Sequence, residues 1–423
     1  MMRKLLLLSF LLTMPLAAQD AALFIERIEV RNHKRVSPDV VIAESRLREG
    51  REYSEAELRD AATRLGRLPF LLSVEFSLEK GTERGRHVLV LTVNETKPIF
   101  FLIDAVPYYE RDDLFIDVEY NDRSTGDDRN LVLGARWFVG RRGAAHIALE
   151  GVGNDRQVSR EYAAFSVGYT QYDLFGTRAF ATLNLKKPIE GHGEGLLSPQ
   201  VVVGVPASAN QTITLQYDET RFGGETMTIE GRDFDEHYSQ RIFSARWSYN
   251  TTNEPFFPTT GMLLHVTPMV GTADGADVFY SFFCCEENPT FTVVAGPYHR
   301  DIKGVDAGAT RYWEISERAS VFGDLRAEWG RVEQRSPVES ETYTESTHEA
   351  SVGAGYSWSL WSREQRAGGG DSRFEVTARY GIRDRGPRDE FLFQPKRDVR
   401  QFSAAWLRRT SWGTLRLGLG YAW

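Results

Sequence analysis

Leu415-Arg416-Leu417-Gly418-Leu419-Gly420-Tyr421-Ala422-Trp423 decides how this chain is read. Leu415, Leu417, Leu419, Tyr421 and Trp423 fall on one side of a period-2 pattern, and Arg416, Gly418, Gly420 and Ala422 fall on the other. Period 2 is the signature of a strand with one apolar face and one small or polar face. A strand of a soluble sandwich also alternates, but seldom as a last segment ending on Trp. The pattern therefore predicts a strand whose apolar side meets lipid, closing a barrel.

The other end of the chain predicts export. Met1-Met2-Arg3-Lys4 is a basic start, Leu5 to Leu12 an apolar run, and Ala17 and Ala18 the small residues of a cleavage site. Residues 1–18 thus read as a signal peptide, too short to span a membrane as a helix. No other stretch supplies 18 consecutive apolar residues, and the mean hydropathy is −0.38, which excludes a helical membrane protein. A β-barrel is not excluded, because alternation hides its apolar residues. With 51 Lys+Arg against 59 Asp+Glu, the formal charge is −8 and no basic stripe points to nucleic acid. The two cysteines, Cys284 and Cys285, are adjacent, which leaves loop thiols or a strained vicinal bridge rather than a disulfide framework. No metal ligand set is spaced around them, and no cofactor is implied.

Residues 23–95 differ in pattern from the rest. Phe24 to Val30 reads as a strand; Ser37 and Pro38 open a helix that runs to about Leu47. Ser54-Glu55-Ala56-Glu57 is a capping box, and Leu58, Ala61, Ala62 and Leu65 recur at helical spacing before Gly66. Val74, Phe76 and Leu78 alternate with Ser73, Glu75 and Ser77, and Val88 to Val93 follow the turn at Gly81 to Gly85. The order β-α-α-β-β predicts a small α+β domain. Residues 96–103 read as a linker.

From Asp104 to Trp423 the helix signals stop and alternation recurs. Leu114, Ile116, Val118 and Tyr120 head the series; Leu131 to Trp137, Ala179 to Leu185, Ile213 to Tyr217, Phe243 to Tyr249 and Phe374 to Tyr380 continue it. Strands of about 9–11 residues plus connectors fit about sixteen into this length. An even number is expected if both ends lie on one side of the membrane, with fourteen as the alternative. The polar partners Arg136, Glu150, Arg246, Asp324, Arg326, Glu328, Glu375 and Arg379 then face the lumen.

The two parts resemble a known layout. Ile25-x-x-Ile28-x-Val30, Gly50-x-x-Tyr53, Leu65-Gly66-x-Leu68-Pro69-Phe70 and Val90-x-x-x-x-Glu95 resemble a POTRA (polypeptide-transport-associated) domain. The second part is similar to the barrel of the BamA/TamA outer-membrane assembly and translocation superfamily. Glu254 to Gly261 (EPFFPTTG) matches that family's Pro-x-x-Gly turn before a long strand, and Leu325 to Val332 loosely matches the strand after its inward loop. The resemblance implies an α+β POTRA domain in the periplasm, an antiparallel transmembrane β-barrel in the cell outer membrane, and contact with outer-membrane lipid. It also implies a role in inserting or translocating unfolded outer-membrane or secreted polypeptides. The family's Arg-Gly-aromatic loop tip is missing. Lys303-Gly304 is the nearest match, with Asp324 or Glu328 as its partner on the wall; an ordinary turn is the simpler reading.

Two working sites follow from the resemblance. One is the edge of the POTRA sheet, at Ser73, Val74, Glu75, Phe76, Ser77 and Leu78, where an extended client segment would add as a strand. A merely solvated, charge-blunted edge is the alternative. The other is the barrel seam, with Leu114, Ile116 and Val118 on its first strand and Leu415, Leu417, Leu419, Tyr421 and Trp423 on its last. No His-Glu-x-x-His, Gly-x-Ser-x-Gly or phosphate-binding glycine loop is present, so no enzyme is expected. A passive or selective pore of the same ancestry is the rival reading.

Overall fold

The computed structural model describes residues 22–423 except 67, 69, 106–107, 111–130, 151–163, 190–193, 209, 224–225, 230–231, 236, 254–257, 284–289, 336–341, 362–369, 386–396 and 423. The signal peptide at 1–18, Leu114, Ile116, Val118, Cys284, Cys285 and Trp423 lie outside the described residues.

The N-terminal part is a four-stranded sheet carrying two helices. Its elements are β1 (Leu23–Arg31), α1 (Pro38–Ser45), β2 (Arg51–Tyr53), α2 (Glu55–Gly66), β3 (Leu71–Lys80) and β4 (Arg86–Glu95), with sheet order β2-β1-β4-β3. The three-residue β2 adds an element between the helices, since three residues are too few to show a period. Ile25, Val40, Val41, Leu58, Leu65, Leu89, Leu91 and Val93 are fully buried and form the core between sheet and helices. The capping box forms as expected: Glu57 accepts from the Ser54 N–H at 2.8 Å, and the Glu57 N–H donates to Ser54 Oγ at 3.2 Å. Ser37 does not cap α1 through its side chain; Pro38 at the first turn already removes one orphan donor.

Glu95 ties the exit of this domain to its entry. Its carboxylate accepts from the backbone N–H groups of Lys34, Arg35 and Val36 at 2.7, 2.9 and 3.1 Å and from Arg35 Nε at 2.9 Å. Burial alone would raise the Glu95 pKa, but these donors outweigh it and hold the group below the ordinary carboxylate range.

The second part is a closed barrel of fifteen strand positions. One position is shared by β5 (Ile99–Ala105) and β6 (Tyr108–Glu110), followed by β7 (Leu131–Val139), β8 (Gly143–Glu150), β9 (Ala164–Gln171) and β10 (Phe180–Pro188). The next is shared by β11 (Glu194–Leu196) and β12 (Ser198–Pro206), then comes β13 (Gln211–Gly223). A separate hairpin, β14 (Thr226–Ile229) and β15 (Arg232–Asp235), interrupts before β16 (Tyr238–Asn250). The remaining strands are β17 (Gly261–Phe283), β18 (Thr290–Ser316), β19 (Ala319–Arg335), β20 (Thr342–Ser359), β21 (Asp371–Arg385), β22 (Arg397–Thr410) and β23 (Gly413–Ala422).

The described strands occupy fifteen positions, in keeping with the expected count of about sixteen. Residues 277–283 and 291–297 are the far ends of the long β17 and β18, which pair down to Phe283↔Thr290. Neighbours run antiparallel around the wall, but β23 meets β5 and β6 in parallel. Among the described residues the number of positions is odd, and an odd antiparallel meander closes only through one parallel pair. The expected linker 96–103 is corrected too. Residues from Ile99 onward are strand β5, hydrogen-bonded between β7 and β23.

Alternation sets the two faces. Leu183, Leu215, Phe243, Val270, Val352 and Leu419 point outward and are more than half exposed, an apolar belt suited to lipid rather than water. Trp247, Trp313, Trp358 and Trp406 share this outer face near the N-terminal domain's rim, where Trp412 is also exposed. Inward positions carry the polar partners: Asp324 takes Arg379 at 3.2 Å, and Glu375 takes Arg416 at 3.3 Å. Arg136, Arg246, Arg326 and Glu328 fall on the same inner parity.

The Pro-x-x-Gly turn is built as its residues require. Asn253 Oδ1 accepts from the N–H groups of Thr259 and Thr260 at 3.0 and 3.1 Å, and Gly261 opens β17 at φ +100. A Cβ at Gly261 would lie 2.3 Å from the Thr251 carbonyl oxygen. Gly261→Val is therefore expected to lower the temperature at which the folded, fast-migrating band is lost on an unboiled gel. A variant with an unchanged melt would contradict the strain assigned here. The same gel on the native chain tests the barrel itself, which should migrate differently before and after boiling.

Candidate functional site: edge strand, mouth and seam

β3 is an edge strand of its sheet. It pairs with β4 along one side, and no described strand pairs with the other. Val74, Phe76 and Leu78 turn inward against the core, while Glu75 and Ser77 are exposed. Ser73 to Leu78 thus presents the open backbone edge that the alternation implied.

The domain lies across one mouth of the barrel, touching turns on several sides of the rim. The Ser37 N–H donates to the Arg141 carbonyl at 3.2 Å, and Asp39 pairs with Arg142 at 3.1 Å. Arg46, at φ +61 after α1, donates to the carbonyls of Ser208 and Gln211 and to Thr212 Oγ1 at 2.8 Å. Arg64 reaches Asn210 Oδ1 at 3.3 Å, and Thr63 donates to the Asn253 carbonyl at 3.3 Å. Phe70 packs edge-on against Phe138 and Tyr172, with ring centroids 4.6 and 5.3 Å apart. Arginine donors on backbone carbonyls suit this junction, since turn carbonyls at a strand rim lack ladder partners.

Two features of the junction carry chemical consequence. The first is Arg409 on β22, buried, whose guanidinium donates to the Leu72 carbonyl at 2.9 Å and reaches those of Leu71 and Gly66 at 3.4 and 3.5 Å. It fastens the start of β3 beside the last hairpin of the barrel. The second is Glu44 at the end of α1. Desolvation pushes its pKa up to about 7 against the pull of Arg46, and Asp173 in the turn after β9 adds to the rise. Asp173 itself is paired with Arg142 at 3.4 Å, and Arg178 donates to the Arg46 and Leu47 carbonyls.

The seam is the one parallel ladder of the wall among the described residues. β23 pairs with β5 from Gly413↔Phe101 to Leu417↔Ala105, and with β6 from Gly420↔Tyr108 to Ala422↔Glu110. On its other side β23 pairs antiparallel with β22 from Thr410↔Gly413 to Gln401↔Ala422. Parallel pairing is also slightly weaker per residue than antiparallel. Leu417, Leu419 and Tyr421 point outward as expected. The first seam strand among the described residues is β5, a segment that alternation missed because Ile99-Phe100-Phe101-Leu102-Ile103 is apolar throughout.

The proposed inward loop is not one. Lys303 and Gly304 lie inside β18, paired with Val270 and Met269 on one side and with Arg331 and Gly330 on the other. Lys303 is exposed on the outer face, whereas Asp324 and Glu328 belong to the inner one, so neither acid is its partner. Gly304 faces the lumen, where a Cβ would lie 3.2 Å from Met269 Cγ. The glycine serves close packing beside a luminal cluster of Ala273, Ile302, Met269, Tyr238 and Val332.

Comparison with known proteins bears on the N-terminal part. Residues 23–96 match the POTRA family model, described as a surface antigen variable number repeat. Residues 23–96 are a POTRA domain. The chain thus places one POTRA domain ahead of a closed barrel. No curated protein sequence matches the chain. Among solved structures it is similar to BamA from Haemophilus ducreyi lacking POTRA domains 1–3, with 8% identity, 95% of this chain and 85% of that one covered, and a TM-score of 0.33. It is also similar to a loop L8 deletion mutant of OmpT, an outer membrane protein of Vibrio cholerae, with 13% identity, coverage of 69% and 90%, and a TM-score of 0.32. Neither likeness is close enough to bear on mechanism.

The POTRA junction should respond to pH through Glu44. A carboxyl whose pKa is raised in the docked state favours docking when protonated. Docking is therefore strongest below the ordinary carboxylate range and weakens as pH rises from about 4.5 toward 7. Spin or fluorescent labels at Asp39 and Arg142 should report a shorter mean distance at pH 5 than at pH 8. Glu44→Gln should remove that dependence; a dependence that survives it would refute the assignment. Arg409→Ala should loosen docking at both pH values, by about 1.5–3 kcal/mol for a charged hydrogen bond lost.

Proposed function

We propose that this chain is an outer-membrane barrel protein whose POTRA domain, in the periplasm, presents extended polypeptide segments to the barrel seam and assists their insertion or translocation. One observation carries the reading: the free edge strand begins at the barrel's last hairpin. Arg409 of β22 holds the Leu71 and Leu72 carbonyls, and the Lys97 and Phe101 N–H groups donate to the Ser411 and Trp412 carbonyls at 2.8 Å each. A segment added to β3 at Ser73 to Leu78 would thus lie near the short parallel ladder between β23 and β5. Main-chain hydrogen bonds would supply affinity at both places, with little demand on client sequence. The reading is non-enzymatic and needs no cofactor.

The polar lumen favours a second reading, a selective pore. Asp324, Arg379, Glu375 and Arg416 give the inner wall fixed charge, and no described residue of β18 folds inward as a plug.

Photocrosslinking separates the two. Because Phe76 packs inward, the probe belongs at exposed Ser77, with a second at Leu417. Recovery of unfolded outer-membrane or secreted polypeptides from both positions is expected. Crosslinks to lipid alone, together with steady conductance in planar bilayers, would favour the pore. Locking the seam gives an independent test. Leu102 and Thr414 are direct partners across it, so Leu102→Cys with Thr414→Cys places two thiols within disulfide reach. Oxidation should lower client insertion at least tenfold and reductant should restore it, with gel mobility unchanged. Full activity in the oxidised protein would exclude a seam mechanism.

A further inference from the structure

β17 and β18 outrun their neighbours on the side away from the POTRA domain. β16 pairs with β17 only as far as Tyr238↔Gly275, and β19 with β18 only as far as His299↔Arg335. Beyond those points β17 and β18 pair with each other down to Phe283↔Thr290, and no other described strand joins them. The projecting part of β17, residues 276–283, spans roughly 26 Å at about 3.3 Å per residue. Even positions of β17 lie on the outer face, as the exposed Val266 and Val270 do, and parity carries Val278, Tyr280 and Phe282 onto the same face. Their register partners Ala295, Val293 and Phe291 share it. The opposite face mixes Phe279, Phe283 and Val294 with Asp277, Ser281 and Thr292. One face of the hairpin is thus apolar throughout, well past the level of Val270.

A polar band separates this face from the apolar belt below it. There Asp274 pairs with His299 at 2.6 Å, Asp301 with Arg335 at 3.3 Å, Glu333 with Arg331 at 2.9 Å and Glu219 with Arg241 at 3.2 Å. Lys303 stands beside Asp301 on the same face, level with Val270. Acids and bases of the band answer each other within the wall, so a neighbour bearing the same band meets no block of one sign. Below it, the middle of β18 carries small outward residues, Val305, Ala307 and Ala309. Ala327 stands opposite Ala307, between the larger Leu325 and Trp329 of β19. Elsewhere the belt is bulkier, with Phe165, Leu183, Leu215, Phe243, Tyr356 and Phe402. Small residues on a lipid-facing wall let a neighbouring backbone come close.

The hairpin strip, two strands wide, covers roughly 250 Å². A stable interface buries roughly 800 Å² per partner. Its occupant must therefore engage the wall below as well, which selects a membrane-spanning protein over a soluble one. A second copy of this chain in the same membrane presents the same three zones at the same heights: apolar hairpin, internally paired band and flat wall. We propose that the outward face of β17 and β18 is an interface between two copies of this chain, related by a two-fold axis along the membrane normal. Such a contact is isologous and closes at two copies. The hairpins pack face to face beyond the lipid, about 10 Å apart as stacked sheets are. The seam strand β23 lies five positions round the wall from β18, so it stays clear of the contact. The interface rests on the barrel reading and on no client activity.

The test uses the full chain in outer membranes, with Cys284→Ser and Cys285→Ser as background. Val293→Cys places a thiol on the apolar face, and Thr292→Cys places one on the opposite face one residue away. A short bis-maleimide should give at least tenfold more product of doubled mass from Val293→Cys than from Thr292→Cys. Sedimentation of the purified chain in detergent gives an independent reading. Val293→Asp should raise the concentration at which dimers dissociate at least tenfold, while Thr292→Asp should leave it within twofold. Equal crosslinking at both positions would overturn the interface. So would products carrying another envelope protein or lipid in place of a second copy, or a native chain that sediments as a monomer. The heat-dependent gel shift is the control in every variant: its loss in the native chain would overturn the barrel reading, and the interface with it.

Discussion

Lipid offers no partner to a backbone N–H or C=O, and that constraint shapes the molecule. Every polar group in the apolar belt must be paired within the wall, so the sheet has to close. With fifteen positions described, closure brings two strands together that point the same way. The ladder there is parallel, while β22 and β23 pair antiparallel along their full length. A parallel, slightly weaker line in the wall thus follows from the count of described strands. It needs no special residue to create it.

The same constraint governs how the POTRA domain is held. Turns at the rim leave carbonyls without ladder partners, and Arg46, Arg178 and Arg409 donate to such groups in both directions across the junction. Contacts of this kind read backbone geometry rather than side chains. They also place α1, whose end carries the half-buried Glu44, against the turn with Asp173. The junction is therefore both broad and adjustable: several strong donors fix it, and one carboxyl opposes it when ionised.

Much of this was legible from residue order. Alternation assigned the outward Leu417, Leu419 and Tyr421 and the inward Asp324, Glu375 and Arg379 correctly, because period 2 depends only on which face is wetted. The capping box at Ser54 and Glu57 and the turn ending at Gly261 were legible because their chemistry is local. The edge position of Ser73 to Leu78 followed from the order of elements in a β-α-α-β-β unit. What alternation does not encode is partnership. It could not show that β5 joins β23, since a wholly apolar run such as Ile99 to Ile103 has no period. Nor could it show how far β17 and β18 run past the apolar belt, because strand length beyond the lipid is not set by the lipid.

Lys303-Gly304 shows where local chemistry misleads. A cation followed by glycine is a common turn signal, yet here the glycine faces Met269 inside a long strand and the lysine faces out. In a strand one step reverses the face. That reversal moves Lys303 away from Asp324 and Glu328, its expected luminal partners, and sets it opposite Arg331 at the border of the apolar belt. A position read as the remnant of a plug is then better understood as part of the outer surface. The absence of an inward loop in β18 leaves the POTRA domain as the element that covers a mouth of the barrel. Access to the lumen from that side therefore depends on the arginine contacts at the rim.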